Sequence, residues 1–279
     1  MENLFRRVRL SVSISAALTL GVGLLLTLIL FASVRRAETQ IRTARFEQEA
    51  SLRITAVSSG LSDAVEQVMV VNGIFSTFGT VSREQFRAFT APLLARYPEI
   101  QALSYQHLLM DSDRKRYEAE MRKRYPDFYI SEFVDGKQRP AALRDTYNVV
   151  EYIQPYEGNE LALGLDASRT KEHADARLRS RKSGQAAATG LLSLVQVKGF
   201  HTGFLVLAPV YMRGAPQDTE ALRQRAVVGE TAVVFRVDHL IHTLLNRGGF
   251  LNTPGMAINI YVASSAQHSQ LAFRDGQAA

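Results

Sequence analysis

The sequence predicts an α+β protein in which an N-terminal transmembrane helix and a long stalk helix carry antiparallel sheet. Three observations predict it. Residues 11–33 read SVSISAALTLGVGLLLTLILFAS and hold no charge. Val34 to Phe78 contains no proline and keeps a helical apolar spacing. Beyond Pro126, short strand-like runs succeed one another with few helices between them. Such a succession suits an antiparallel sheet rather than the alternating strand–helix pattern of a parallel one.

Composition narrows the class. The 279 residues are 46% hydrophobic and 22% charged, which excludes disordered, collagen-like and low-complexity chains. There is no cysteine, hence no disulfide framework, thiolate nucleophile or zinc ribbon. Lys and Arg number 33 against 27 Asp and Glu, and part of the net +6 flanks the apolar run.

That run is long enough to cross a hydrocarbon core of about 30 Å as a helix rising about 1.5 Å per residue. A cleaved signal peptide has a shorter core and a small-residue cleavage site. Ala32-Ser33-Val34-Arg35-Arg36 is a poor site, so the segment reads as an uncleaved anchor. Arg6, Arg7 and Arg9 precede it while Arg35, Arg36, Arg42 and Arg45 follow, so the positive-inside rule does not choose an orientation. Gly21-Val-Gly23 begins like a dinucleotide fingerprint, but Leu26 occupies the third glycine place. Glycines in a membrane helix serve close helix approach instead.

In the stalk, Leu61, Val65, Val68, Asn72 and Phe75 alternate steps of four and three, a coiled-coil-like seam that Val71 and Phe78 broaden. Such a helix reads both as a rod carrying motion from the membrane and as a helix packed on its own domain. Ser82-Arg-Glu-Gln85 is a capping box opening a second helix, with Phe86, Phe89, Leu93 and Tyr97 on one face and Pro92 expected to kink or break it. IQALSYQHLL then reads as a strand. Asp113 to Tyr125 (DRKRYEAEMRKRY) is the most basic stretch, yet Glu118 and Glu120 interrupt it, so it reads as an exposed helix face and not a nucleic-acid surface.

Strands are expected at Phe128–Val134, Thr146–Pro155 and Leu161–Leu165, followed by a helix over Ala167–Lys182 ended by Gly184. AAATGLLSLVQV, GFLVLAPVY and AVVGETAVVF supply three more strands. DHLIHTLL supplies a short helix, and Met256–Ala263 a last strand.

Chemistry is sparse. Serine-hydrolase elbow, phosphate-loop and zinc-protease motifs are absent, as are kinase and cyclase motifs, so no catalytic residue, metal or cofactor is expected in this chain. His239 and His242 share a helix face and would hold a metal only with a third ligand from elsewhere. Asp238 sits at their N-cap position, and surface histidines beside a cap are the simpler reading. Asp166 follows the apolar run Leu161–Leu165 and precedes a helix. It is either an N-cap or a carboxylate that takes a ligand's hydrogen bonds in a dry pocket.

The order of several short motifs is similar to a known family. Phe86-x-x-Phe89 precedes Tyr97-Pro-Glu-Ile100-Gln-Ala-Leu-Ser-Tyr105, Arg116-Tyr-Glu118 and Arg144-Asp-x-Tyr147, and Tyr152-Ile-x-Pro155 follows. Then come NELALGLD at Asn159–Asp166, Ala174 and Ala176, Ser183-Gly184, Phe204 to Tyr211, and Val234-Phe-Arg-Val-Asp238-x-Leu240. The set resembles the CHASE domain, the extracytoplasmic sensory module of receptor histidine kinases, nucleotide cyclases and cyclic-di-GMP enzymes. The resemblance implies two PAS-like antiparallel-sheet subdomains on the stalk, a domain outside the cytoplasmic membrane with Met1–Leu10 inside, and a small-molecule ligand in the membrane-distal subdomain. In the family's plant cytokinin receptors an aspartate matching Asp166 contacts the hormone's adenine ring. The match further implies a pocket walled by Thr189, Leu191, Phe204 and Leu207. Ala186-Ala-Ala188 replaces larger side chains and implies a wider pocket.

The expected organisation is a cytoplasmic N-terminus (1–10), a transmembrane helix (11–33), the stalk (34–80) and the sensory domain (81–279). The expected function is ligand sensing for a transmembrane receptor of the inner membrane, homodimeric through the stalk seam, with the output domain beyond this chain. A membrane-anchored binding or accessory protein is the alternative. An anchored hydrolase using His239 or His242 is a more remote one.

Overall fold

The computed structural model describes residues 2–168, 170–194, 202–251, 256–265 and 268–275. Two compact units divide at Thr55. The first belongs to helix α1 (Glu2–Phe78). From Ala16 its apolar side chains are exposed, Leu20 at 72% and Phe31 at 62%. The Thr27 hydroxyl donates to the Gly23 carbonyl at 2.8 Å, which leaves that polar group satisfied within the helix. Among the described residues α1 is the one helix long and apolar enough to cross a membrane. In water such a surface costs about 25 cal/mol per Å², and a hydrocarbon surround removes that cost.

The second unit begins with the end of α1. Gly79, in the left-handed region at φ 73°, ends the helix. The predicted capping box then starts α2 (Arg83–Arg96), with Gln85 N–H donating to Ser82 Oγ at 3.2 Å and Ser82 N–H to Gln85 Oε1 at 2.8 Å. Pro92 does not break α2. Proline removes one donor to the Ala88 carbonyl, but Phe86 is buried in the core and half-buried Leu93, Leu94 and Tyr97 pack against it, which holds the helix through that position.

Next come β1 (Ile100–Met110), α3 (Asp111–Arg122), the hairpin β2 (Ser131–Val134) and β3 (Lys137–Pro140), and β4 (Thr146–Gln154). The basic residues of α3 pair locally, Arg114 and Arg122 with Glu118 and Arg116 with Asp113. The stretch expected as a strand at Leu161–Leu165 is a 3₁₀ turn (Glu160–Ala162) followed by single bridges from Leu165 to Ser131 and from Asp166 to Val149. Gly164 dictates this. Its φ is 80°, and a Cβ there would stand 2.9 Å from both the Phe128 ring and the Tyr129 carbonyl.

Helix α4 (Lys171–Ser183) follows and ends, as expected, at left-handed Gly184. Then come β5 (Ala187–Ala188), β6 (Leu192–Ser193), β7 (Thr202–Tyr211), α5 (Glu220–Ala226), β8 (Val227–Arg236), α6 (Val237–Arg247), β9 (Ile258–Ser265) and β10 (His268–Asp275). Val195 to Val197, the end of one expected strand, lie outside the described residues. Asp238 is not the cap of α6. It sits inside the first turn and pairs with Arg236, which occupies the cap position.

The sheet runs β4-β1-β8-β7-β5 with β6 beside β7, and every pair is antiparallel. Side chains of β1, β7 and β8 divide between two faces. Leu103, Tyr105, Val206, Ala208, Val210, Val233 and Phe235 meet Val68, Val71, Ile74 and Phe75 of α1. Ala102, Leu205, Leu207, Ala232 and Val234 face the other way, toward Ala162, Ala176 and Leu194. A second small core joins α6 to Ile258, Ile260 and Phe273 of the separate β9–β10 ribbon, with Val57 of α1.

Most of the predicted seam is therefore spent on this sheet. Val68 and Phe75 are buried, and the Asn72 amide donates to Pro209 O at 2.9 Å and to Thr231 Oγ1 at 3.3 Å. Val65 and Phe78 remain exposed. Phe75→Ala is expected to remove about 3–5 kcal/mol of stability, whereas Val70→Ala, on the exposed side, stays within about 0.5 kcal/mol. Thermal unfolding of the two variants checks it; equal losses would overturn this assignment of faces.

Candidate functional site

On the sheet face away from α1 lies a cavity of about 470 Å³. Its floor is Ser104 and Gln106 of β1, Val150 and Ile153 of β4, Leu205 of β7 and Val234 of β8. Val150 and Ile153 are three apart on one strand, yet both reach the floor, because a bulge opposite Tyr105–Gln106 resets the alternation of β4. Its walls come from the segment around Asp166 and α4, and from Leu191 to Leu194. The volume lies at the small end of the range of about 300–1,000 Å³ for ligand sites.

Two ion clusters fasten this wall to the sheet. Glu230 of β8 is fully buried and accepts from Arg177 Nε at 2.8 Å and Arg181 Nε at 2.9 Å, both from α4. Arg181 also donates to Asn148 Oδ1 at 3.1 Å. The second cluster centres on Asp166. Its Oδ1 accepts from the backbone N–H of Asn148 and of Ser168, each at 3.0 Å, and its Oδ2 accepts from Ser168 Oγ and Arg144 Nη1, each at 2.9 Å. Arg144 also pairs with Glu132, and that bond holds its guanidinium above the ordinary range.

Asp166 is thus not the cap of α4. Thr170 is, accepting from His173 N–H at 3.3 Å. A carboxylate offers about four lone-pair positions. Those of Asp166 are all taken by protein donors.

The cavity does hold polar atoms without partners. Gln106 is 1% exposed and its Oε1 has no hydrogen bond. His173 spends Nδ1 on Thr170 Oγ1 at 2.6 Å, while Nε2 is buried and unpaired. Burial, and secondarily the Arg177 charge, lower the His173 pKa from 6.5 to about 4, so the ring is neutral near pH 7.

Of the five expected pocket residues, Asp166 and Leu191 line this cavity. Thr189 stands behind it, its hydroxyl accepting from Leu205 N–H at 3.0 Å and donating to Gly190 O at 2.7 Å. Phe204 lies on the α1 side of β7, stacked on Phe235 at 5.2 Å. Leu207 shares the face of the cavity but is packed beneath the wall. Phe204 and Leu207 are an odd number of residues apart on a strand, so they cannot face the same space. Ser104, Gln106 and His173 escaped the sequence reading. The alternation Ala102, Ser104, Gln106 within a strand of otherwise large residues was the available signal. The His239 ring meets the Pro98 carbonyl at 2.9 Å and His242 is exposed; no group of three or more metal-binding side chains occurs among the described residues.

The CHASE domain family matches residues 79–273, which span the whole sheet, the cavity and both ion clusters. The chain belongs to the CHASE family. Two solved structures are similar to it at low identity. One is a methyl-accepting chemotaxis protein X, 13% identical over 80% of this chain and 72% of that one, with a TM-score of 0.43. The other is the periplasmic sensory domain of the Campylobacter jejuni chemoreceptor Tlp1, 9% identical over 82% and 69%, with a TM-score of 0.41. No curated protein matches the sequence.

Two consequences follow for this CHASE domain. Asp166→Ala leaves the backbone N–H groups of Asn148 and Ser168 without their acceptor and removes one of the two carboxylates that Arg144 pairs with. It is expected to cost about 1–3 kcal/mol in unliganded protein, read as a lower thermal midpoint; an unchanged midpoint would refute the strut role. His173 has a folded pKa below its unfolded value, so the unfolded chain takes the proton first. Its contribution is complete above pH 6.5 and is lost as pH falls toward about 4. The difference in thermal midpoint between wild type and His173→Gln should therefore change across that window and stay constant above it. A constant difference throughout would show that the buried ring is not the titrating group.

Proposed function

We propose that this CHASE chain is the ligand-sensing region of a transmembrane receptor in the inner membrane, with Met1–Leu10 in the cytoplasm and the sheet domain in the periplasm. One observation carries the reading. The sheet holds the end of the stalk helix on one face and, on the other, a mostly apolar cavity with unpaired polar atoms. A small molecule filling that cavity acts on strands whose opposite side chains contact α1. It shifts the receptor only by its differential affinity for two arrangements of those strands. Leu191 and the Asp166 segment wall the ligand, while Thr189, Phe204 and Leu207 set the floor strands. The bias passes along the stalk and membrane helix to a cytoplasmic output domain.

The homodimer is proposed to form through the outward side of the stalk, where Val65, Met69 and Val70 are exposed, because Val68, Asn72 and Phe75 are already engaged by the sheet. The chain has no cysteine, so single cysteines report without background. Leu143→Cys, at a position 82% exposed, is expected to react with a membrane-impermeant maleimide in intact spheroplasts, and Glu2→Cys only after lysis. The reverse pattern would overturn the orientation. Oxidative cross-linking of Val65→Cys in membranes should give a disulfide-linked dimer; its absence would remove the dimer from the proposal.

A further inference from the structure

The cavity also indicates what kind of molecule it receives, an inference that rests on the sensing role proposed above. Its unpaired floor group is the carboxamide of Gln106, buried on the sheet with an Oε1 that has no hydrogen bond. A buried carbonyl without a donor is costly, and a ligand N–H relieves that cost. The –NH₂ on the same carbon places a donor beside that acceptor, so the group best matched to it carries a donor and an acceptor side by side. The unpaired Nε2 of the neutral His173 ring adds a polar contact on the wall, without charge near pH 7.

No charge on the floor is free to bind an ion. Asp166 is saturated by four donors, and Glu230 is closed off by Arg177 and Arg181. Those arginines and Arg144 are spent on their own carboxylates, so among the described residues an anion finds no free cation there. Glu172, half-buried in the wall, repels an anion as well and, among the described residues, is the carboxylate that competes for a cation. Apart from Ser104, the remaining floor, Val150, Ile153, Leu205 and Val234, is aliphatic.

We propose that the ligand is an uncharged amide or lactam, with a compact apolar body on the aliphatic floor and its amide edge paired with the Gln106 carboxamide. The test uses the full chain in nanodiscs, with empty nanodiscs as the control, and four probes that share one ring. These are nicotinamide, nicotinate, 3-(aminomethyl)pyridine and 3-methylpyridine. Dissociation constants come from ligand-observed NMR. Nicotinamide is expected to bind at least about tenfold more tightly than the other three, the discrimination one buried hydrogen-bonding group supplies. Gln106→Met, similar in volume, should abolish that preference while 3-methylpyridine binds as before. Should that variant not fold, Gln106→Asn, which withdraws the amide by one methylene, must weaken nicotinamide alone. Tightest binding by the amine would assign recognition to Glu172 and overturn the amide proposal while leaving the cavity as the sensing site. Nicotinamide affinity unchanged by either variant would likewise overturn it. Binding by none of the four would overturn both the proposal and the sensing role of the cavity.

Discussion

The central constraint is that the sheet must bury both of its faces, and the end of α1 claims one of them. Val68, Val71, Ile74 and Phe75 cover the side presented by Leu103, Tyr105, Val206, Val233 and Phe235. Because strand side chains alternate with period two, Ala102, Ser104, Gln106, Leu205 and Val234 are committed to the other side. The loop and helix between β4 and β7 have to cover that side, and they do so incompletely. The cavity is the space left over, so its position follows from where the stalk helix packs.

Covering that second face required charge. Helix α4 has few apolar residues, with Ala176 its main core contact, and it is anchored by Arg177 and Arg181 on the buried Glu230. A buried ion pair often adds little net stability over an apolar substitute, but breaking one partner is expensive. The arrangement therefore specifies one position for α4 more strongly than it stabilises the fold. Asp166 does the same for the segment ahead of α4, tying it to β4 through Asn148 N–H and to Arg144. The wall of the cavity is held by geometry-demanding contacts and its floor by adaptable apolar ones. That division suits a site whose shape is fixed before its contents arrive.

Much of the scaffold was readable from local pattern. The capping box at Ser82–Gln85, the left-handed Gly184 and the apolar runs of β7 and β8 are short-range signals, and the elements stand where those signals put them. The misreadings share one cause, which is tertiary context. Pro92 stays inside a helix that Phe86, Leu93 and Leu94 hold against the core, and Leu161–Leu165 turns because Gly164 must pass close to Tyr129. Asp166 has the composition of a helix cap, but Arg144, far away in sequence, captures it, and the cap falls to Thr170. The cavity residues were harder still. Gln106 is conspicuous only once β1 is known to be central, because only then is a glutamine on its inner face buried on every side.

The same geometry limits how occupancy is transmitted in the proposed receptor. Glu230 and Thr231 are consecutive on β8. The first binds the arginines of the cavity wall, and the second accepts from Asn72 of the stalk helix. On β1, Gln106 follows Tyr105, whose ring stacks on Phe75 of α1 at 4.3 Å. Each contact on the ligand side is therefore one residue from a contact on the helix side, and no intervening layer absorbs a displacement. A rotation of β1 or β8 about its own axis moves both sets of side chains together. Packed interiors deform little, so such a motion exchanges one packing of α1 for another instead of stretching the contacts gradually. Each tenfold preference of the ligand for one packing shifts that exchange by about 1.4 kcal/mol. A preference of about a hundredfold is then enough to reverse an equilibrium that stands near one part in ten without ligand.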